Sequence, residues 1–255
     1  CYFVAYCMDK STVAKTEEEK ANWEGYLDLM TTVVKAYCSD KGLLICSTGM
    51  DVYGGYGYCS EYPMEQYLRD EKIATIYEGT NGIQALTLVG RGLGQRKGMN
   101  AMNLFGEVQK NIKKMKEHKE LGKYTAILEE AANACIELTM FFVQAGKAGN
   151  FLLPILNAYK FMEIFGDVLV GHFLIDAAGI AADKLAAIYK EKGADTPEKQ
   201  KALQKENKEA AFYFGRVASA RFFAVEILTT VKARCEAVKM DEKAPLEMTE
   251  EAFAY

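Results

Sequence analysis

Histidine and proline are scarce in this sequence, and no two cysteines have the CxxC spacing. Each of these features excludes or favours a class of site or fold. The only two histidines, His118 and His172, lie far apart, which nearly excludes a metal site built on imidazole. Four prolines among 255 residues, with abundant Ala, Leu, Met, Glu and Lys, favour helices. The seven cysteines are odd in number and show no CxxC spacing. They indicate reduced thiols and a cytoplasmic setting rather than a disulfide framework.

A strong charge of one sign and long uncharged runs are also missing. The net charge is −4, which gives no reason to expect a nucleic-acid partner. The longest apolar stretch, residues 164–182, is interrupted by Asp167, His172 and Asp176, so no membrane span is predicted. The sequence shows no signal peptide and opens on an apolar, helix-like segment, so we expect further residues before Cys1 in the intact protein.

The periodicity of the remaining sequence predicts an all-α protein: a helical bundle followed by a second group of long helices. A polar, glycine-rich segment at 92–98 is the best internal boundary, which gives a bundle region over 1–95 and a helical extension over 98–255. A single last helix over 197–239 would span roughly 60 Å. The other predicted helices cover about 18–52, a short segment after Pro63, 80–93, 99–119, 123–147 and 151–191, with a loop and a marginal helix over 241–255.

Glu78 is the strongest candidate for chemistry. It follows Ile76 and Tyr77, and an apolar, dry setting would raise the pKa of its carboxylate towards neutrality. A base that removes a weakly acidic C–H proton needs such a pKa. Gly79 adds no bulk, so a substrate could approach. The same position also fits a glutamate that only favours the positive end of a helix dipole.

Two neighbouring patterns could bind a ligand. Gly54, Gly55 and Gly57 would let the backbone approach a ligand closely, or would simply form a tight turn. They are not a dinucleotide fingerprint, because G-x-G-x-x-G is incomplete and no strand precedes it. Thr80 and Asn81 open a helix, where their polar groups could hold an anion or provide an ordinary cap.

Several other groups are interpreted as scaffold. His172 is expected to be a hydrogen-bonded core histidine; Asp167 and Asp176 could pair with it or with basic residues elsewhere. Residues 69–72 combine two basic and two acidic side chains and suggest a structural ion-pair cluster. A set of aromatic and methionine side chains is predicted to lie in the core: Phe141, Phe142, Phe161, Met162, Phe165, Phe222 and Phe223.

The order of these segments resembles the acyl-CoA dehydrogenase family. GGYGY, EYPMEQYLRD and KIATIYEGTNGIQ occur in the order of the family signature and resemble it without a gap, and the strong similarity covers about residues 48–84. The later stretches GIQALTLVGRGL and LLPILNAYKFMEIFGDVLVG resemble the C-terminal extension of a bacterial subset of the family. The N-terminal helical domain and the middle β-domain of the family are not visible. We therefore expect the chain to be the C-terminal helical portion of such an enzyme.

The resemblance implies a reaction. Glu78 would remove the α-proton of an acyl-CoA thioester, and the β-hydrogen would leave as hydride to N5 of FAD, giving a trans-2-enoyl-CoA. The electrons would pass to an electron-transfer flavoprotein. Tyr77 and Gly79 would line the thioester pocket. The implied FAD contacts are Thr80, Asn81 and Gly82 and, towards a neighbouring subunit of a homo-oligomer (dimer or tetramer), Asp51, Val52, Tyr53, Gly54 and Gly55.

Two positions depart from the family pattern. Many members carry glutamine where this chain has Asp51, and a carboxylate there would repel a pyrophosphate. Many carry glutamine or glutamate where this chain has Gly82. A second hypothesis is a helical assembly module that uses the same scaffold for oligomer contacts without turnover. A third, with weaker support, is a small-molecule binder that uses the GGYGY turn.

Overall fold

Helices make up nearly all the regular structure of this protein. The computed structural model describes residues 1–253, and among them it contains no strand, which confirms the predicted all-α class. The α-helices are α1 Tyr2–Thr12, α2 Glu17–Tyr53, α3 Met64–Ala74, α4 Asn81–Gly90, α5 Met99–Met115, α6 Gly122–Lys147, α7 Leu152–Leu156, α8 Ala158–Glu191, α9 Pro197–Glu206, α10 Lys208–Glu226, α11 Val231–Lys239 and α12 Ala244–Glu247. Short 3-10 turns cover Gly54–Tyr58, Gly92–Gly98, Leu228–Thr230 and Glu250–Phe253.

The central element of the bundle is α8. Its Phe161 and Phe165 are fully buried and stack with ring centroids 5.7 Å apart, while Phe105 of α5 meets Phe165 edge-on at 5.6 Å. The chain kinks at 92–98, where Arg96 and Lys97 take left-handed conformations. The apolar core nevertheless continues across this kink, because α2 and α4 pack on the same α8 that supports the later helices.

One helix of the described chain, α8, is long and apolar enough to cross a membrane by length and composition alone. It contains the interrupted stretch 164–182. Of its most apolar window, 61% is buried inside the bundle, and the core helix of a globular domain passes the same test.

The single helix predicted over 197–239 is wrong, because polar side chains break it twice. Asn207 has extended backbone angles, and its carboxamide accepts hydrogen bonds from the Glu209 and Ala210 amides, which starts α10 afresh. Near the second break, the Thr230 hydroxyl donates to the Ile227 carbonyl. The helix predicted over 151–191 is likewise split at Asn157. Such local hydrogen bonds compete with the helical ladder.

Two further interpretations are wrong. Residues 69–72 form no ion pair with one another in the described part of the chain, since consecutive helical side chains diverge from each other. Phe222 is 68% exposed, whereas Phe223 packs against the core. The two adjacent rings point in directions about 100° apart on α10, so only one of them can face α8.

A buried polar cluster joins α2, α8 and α11. Asp167 is 1% exposed and accepts hydrogen bonds from Tyr37 Oη at 2.6 Å and from Arg234 Nη2 at 2.5 Å. Burial and then the Asp167 carboxylate raise the pKa of Tyr37, so its phenol stays a donor. Gly166 makes room for the Tyr37 ring, which a Cβ at that position would overlap. Asp167 thus pairs with a basic residue elsewhere, and Asp176 does the same with Lys114.

His172 is hydrogen-bonded, as the sequence predicts, but it is partly buried at the edge of the bundle rather than in the core. The Asn111 carboxamide nitrogen lies 3.0 Å from His172 Nδ1 and donates to the His172 carbonyl, also at 3.0 Å. In the neutral ring Nδ1 therefore accepts and Nε2 carries the proton. Desolvation by burial lowers the pKa of His172.

This lowered pKa predicts acid sensitivity. Below about pH 6.5 the unfolded chain protonates His172 while the folded chain does not, so the free energy of unfolding should fall as pH drops towards the folded-state pKa. His172→Gln should remove this part of the pH dependence, measured by thermal unfolding at about pH 7.5 and about pH 5.5. Asn133→Ala, which changes an exposed side chain that does not titrate, is the control and should keep the wild-type slope. An unchanged slope in His172→Gln would refute the assignment.

Candidate active site

Glu78 lies in the loop that joins α3 to α4. After Ala74 the chain makes one more turn, in which the Tyr77 amide donates to the Ile73 carbonyl at 3.1 Å. Thr80 then caps α4, and its hydroxyl accepts the Ile83 amide at 3.4 Å. Of the two predicted caps, Thr80 is therefore the one used. The loop between these two ends consists of Glu78 and Gly79.

The backbone of this loop is unusual. Glu78 has φ 55° and Gly79 has φ 84°, so both lie in the left-handed region. For glutamate this conformation costs on the order of 1–3 kcal/mol, and it persists only where the surroundings enforce it. Gln84 supplies one brace, because its Nε2 donates to the Glu78 carbonyl at 2.9 Å. Strained residues held in this way cluster at functional sites.

The expected dry setting of Glu78 is not present within this chain. Its side chain is exposed, and the apolar neighbours Ile73, Ile76 and Tyr77 are also half exposed, at 54%, 50% and 51%. The reason is that α3 packs on α2 and on the turn before α3, and no described element covers its outer face. The apolar residues are in the predicted place, but their surface is open.

An open groove of about 370 Å³ adjoins Glu78 between α2 and α3. The Glu71 side chain lies over Gly42, where a Cβ would come within 2.5 Å of Glu71 Oε1. The groove is lined by both apolar and polar residues: Val34, Lys35, Cys38, Ser39, Gly42, Glu71, Ala74, Tyr77 and Glu78. The structure thus brings Tyr77 and Glu78 together at one groove.

Asn81 has a role that the sequence pattern does not reveal. It is 4% exposed, and its Nδ2 donates to the Ala36 carbonyl at 3.1 Å and to Asp40 Oδ1 at 2.8 Å. Its Oδ1 accepts Lys35 Nζ at 2.7 Å, and its backbone amide donates to the Thr75 carbonyl at 3.2 Å. The residue ties the Glu78 loop to α2, and its carboxamide is fully occupied in doing so.

Replacing Asn81 should therefore weaken the fold. Asn81→Ala would remove the bonds that tie the buried start of α4 to the Ala36 carbonyl and to Asp40, so we expect a loss of about 2–4 kcal/mol in the free energy of unfolding. Asn133→Ala, on the exposed face of α6, is the matched control and should cost less than about 1 kcal/mol. Urea denaturation of both variants gives the comparison; equal losses would contradict a bracing role for Asn81.

The second group of predicted site residues lies at the other end of α3. Asp51, Val52 and Tyr53 form the last turn of α2 and are exposed, so they are helical rather than part of a loop. Gly54 follows with φ 61°, and a Cβ at Gly54 or Gly55 would meet nothing within 4 Å. Because α3 is about 16 Å long, this turn and the Glu78 loop are separate sites on the chain.

Comparison with known proteins identifies the family. Residues 4–93 match the family model described as acyl-CoA dehydrogenase, C-terminal domain. Residues 104–249, more than half of the chain, match the model described as acetyl-CoA dehydrogenase C-terminal like. The chain belongs to the acyl-CoA dehydrogenase family.

Curated acyl-CoA dehydrogenases resemble the chain along almost its whole length. A butyryl-CoA dehydrogenase of Syntrophomonas wolfei is 29% identical over 255 residues, covering 99% of this chain and 38% of the relative. The broad-specificity linear acyl-CoA dehydrogenase FadE5 of Mycobacterium tuberculosis is 29% identical over 231 residues, covering 89% and 35%. The chain therefore spans well under half the length of these relatives.

A solved structure is also similar. The acyl-CoA dehydrogenase of Bacillus anthracis complexed with FAD aligns with 92% of this chain and 41% of its own, at 17% identity and a TM-score of 0.39.

Proposed function

We propose that this chain is the C-terminal part of an FAD-dependent acyl-CoA dehydrogenase that converts an acyl-CoA to a trans-2-enoyl-CoA, with Glu78 as the base for the α-proton. The observation that carries the proposal is the braced, left-handed Glu78, whose exposed carboxylate borders a groove within the segment that matches the family. The names of the similar curated proteins, butyryl-CoA and linear acyl-CoA dehydrogenases, support the substrate class.

The apolar surface around Glu78 suits a carboxylate that acts as a base on a C–H proton. Ile73, Ile76 and Tyr77 present half-exposed apolar side chains beside it. When an acyl thioester covers them, water leaves the loop, and the Glu78 carboxylate faces the α-proton in an apolar setting. Gly79 keeps the approach to the carboxylate free of side-chain bulk. Tyr77 and Gly79 are thus the proposed thioester contacts.

Some of the residues proposed to contact FAD are free to do so, whereas the side chain of another is already used within the chain. The open backbone at Gly54 and Gly55 can approach a cofactor, and Thr80 is exposed at the start of α4 beside Gly82. The Asn81 carboxamide is instead committed to α2. FAD, when bound, accepts the β-hydrogen as hydride, and we propose an electron-transfer flavoprotein as the electron acceptor.

The tyrosine-rich turn before α3 favours a homo-oligomer as the assembled form. Tyr58 and Val52 are 82% and 81% exposed. The rings of Tyr56 and Tyr62 lie beside them, with their centroids 5.2 Å apart. An apolar surface of this kind is typical of an interface. We propose that Asp51, Val52, Tyr53, Gly54 and Gly55 meet the cofactor of a neighbouring subunit.

A visible absorption spectrum tests the proposal. The purified polypeptide that contains this chain should show an oxidised-flavin band, and anaerobic addition of acyl-CoA thioesters of different lengths should bleach it. A flavin band that no acyl-CoA bleaches would contradict the proposed reaction. Absence of flavin from an oligomer would instead favour the alternative, a non-catalytic assembly module.

A further inference from the structure

A continuous path of hydrogen bonds connects the helical extension to the Glu78 loop. Tyr159, near the start of α8, donates its Oη proton to Asp40 Oδ2 at 2.5 Å. The other oxygen of the same carboxylate accepts Asn81 Nδ2 at 2.8 Å. One carboxylate on α2 therefore joins a residue of the extension to the first residue of α4. Tyr159 and Asp40 are 119 residues apart in sequence.

The path ends at the segment that holds Glu78. The Asn81 backbone amide donates to the Thr75 carbonyl at 3.2 Å, so this bond closes the loop that contains Glu78. Within the loop, Gln84 Nε2 holds the Glu78 carbonyl. The left-handed backbone of Glu78 is strained, so several contacts from the surrounding structure are needed to hold it in place. Asp40 is one of four residues of α2 that hold the Asn81 side chain, with Lys35, Ala36 and Ser39, and it is the one that Tyr159 contacts.

We propose that Tyr159 is a positioning residue that holds the Glu78 loop in its catalytic geometry through Asp40 and Asn81. This proposal rests on the proposed function of Glu78 as the α-proton base. It assigns the extension a part in the active site: its helix α8 supplies a hydrogen-bond donor to the bundle that carries the base.

The chemistry of the three groups suits this role. Hydrogen bonds to an ionised acceptor are shorter and stronger than neutral ones, and Asp40 accepts two of them. Partial desolvation and then the Asp40 acceptor raise the pKa of Tyr159, so the phenol remains protonated. Lys35 binds the Asn81 Oδ1 and leaves the Asn81 Nδ2 directed at Asp40. The carboxamide orientation is thereby fixed from both sides.

Amide hydrogen exchange tests the coupling without turnover. In this chain, Tyr159→Phe keeps the ring and removes only the donor; the Asn81 amide and the neighbouring loop amides should then exchange faster, by about tenfold. Tyr189→Phe is the matched control, because it removes a similar phenol that binds Gln204 far from the loop. Unchanged exchange in Tyr159→Phe would overturn the proposal.

Measurements of kcat and KM show whether Tyr159 positions the Glu78 loop or only attaches the extension to the bundle. In the flavin-loaded enzyme that contains this chain, Tyr159→Phe should lower kcat about tenfold with little change in KM, because the base is misplaced while substrate contacts remain. Asp40→Asn should lower kcat as well, and the double variant should be less than additive. Wild-type kcat together with faster loop exchange would overturn the positioning role.

The two proposals fail in distinguishable ways. If the wild-type enzyme binds FAD but turns over no acyl-CoA, the proposed function is wrong, and the catalytic role of Tyr159 falls with it. If the wild-type enzyme is active and Tyr159→Phe matches it in both kcat and loop exchange, only the role of Tyr159 is overturned.

Discussion

Glu78→Gln should lower the rate of dehydrogenation by about 10²–10⁴-fold, the range that general acid–base catalysis supplies. Glutamine keeps the shape of the side chain but cannot accept a proton. The loop should keep its form, because its braces use the Glu78 carbonyl and the Asn81 and Gln84 side chains rather than the carboxylate. FAD should therefore remain bound. The measurement is the rate of flavin bleaching on anaerobic mixing with an acyl-CoA.

The matched control is Glu71→Gln. Glu71 lines the same groove and loses the same charge, but it lies within α3 and not in the strained loop. Its variant should retain most of the wild-type rate. If Glu78→Gln bleaches the flavin as fast as the wild type, another group removes the proton. Equal losses in both variants would indicate a general effect of charge in the groove.

Asp167→Ala should destabilise the fold by about 2–4 kcal/mol, because the buried Tyr37 phenol and the partly exposed Arg234 guanidinium both lose their acceptor. Asp167 is almost completely buried and accepts hydrogen bonds from Tyr37 and Arg234. Its removal leaves a guanidinium and a phenol without their acceptor at the junction of α2, α8 and α11. The midpoint of urea denaturation should fall accordingly.

Asp176→Ala provides the comparison for this effect. Asp176 lies on the same helix and pairs with Lys114 at 3.0 Å, but both side chains are largely exposed. Exposed pairs contribute about 0–1 kcal/mol, so this variant should unfold close to the wild type. A loss for Asp167→Ala no larger than that for Asp176→Ala would show that the buried cluster is not a stabilising centre.

Local patterns predict the helices well and their interruptions poorly. Thr80 caps α4 as expected, and Gly54 and Gly55 end α2, because capping and left-handed turns depend on the residue itself. The break at Asn207 escapes prediction: its carboxamide competes with the helix through a local hydrogen bond that periodicity does not register.

In the site, too, contacts between residues close in sequence are predictable, and contacts between distant residues are not. The motif places Tyr77 and Glu78 beside each other at one groove, as the sequence suggests. Solvent exposure of Glu78 was not predictable, since burial depends on what packs against the outer face of α3. Nor was the role of Asn81, because its partners Lys35, Ala36 and Asp40 lie more than 40 residues away on another helix. No spacing rule connects such positions.

The most direct test of Glu78 as the α-proton base is exchange of the α-hydrogen of a bound acyl-CoA in deuterium oxide, followed by mass spectrometry. A base that removes this proton reversibly returns deuterium to the α-carbon. The wild-type enzyme should incorporate deuterium, and Glu78→Gln should not exceed the enzyme-free background. Incorporation by Glu78→Gln at the wild-type rate would contradict the assignment of Glu78 as the base.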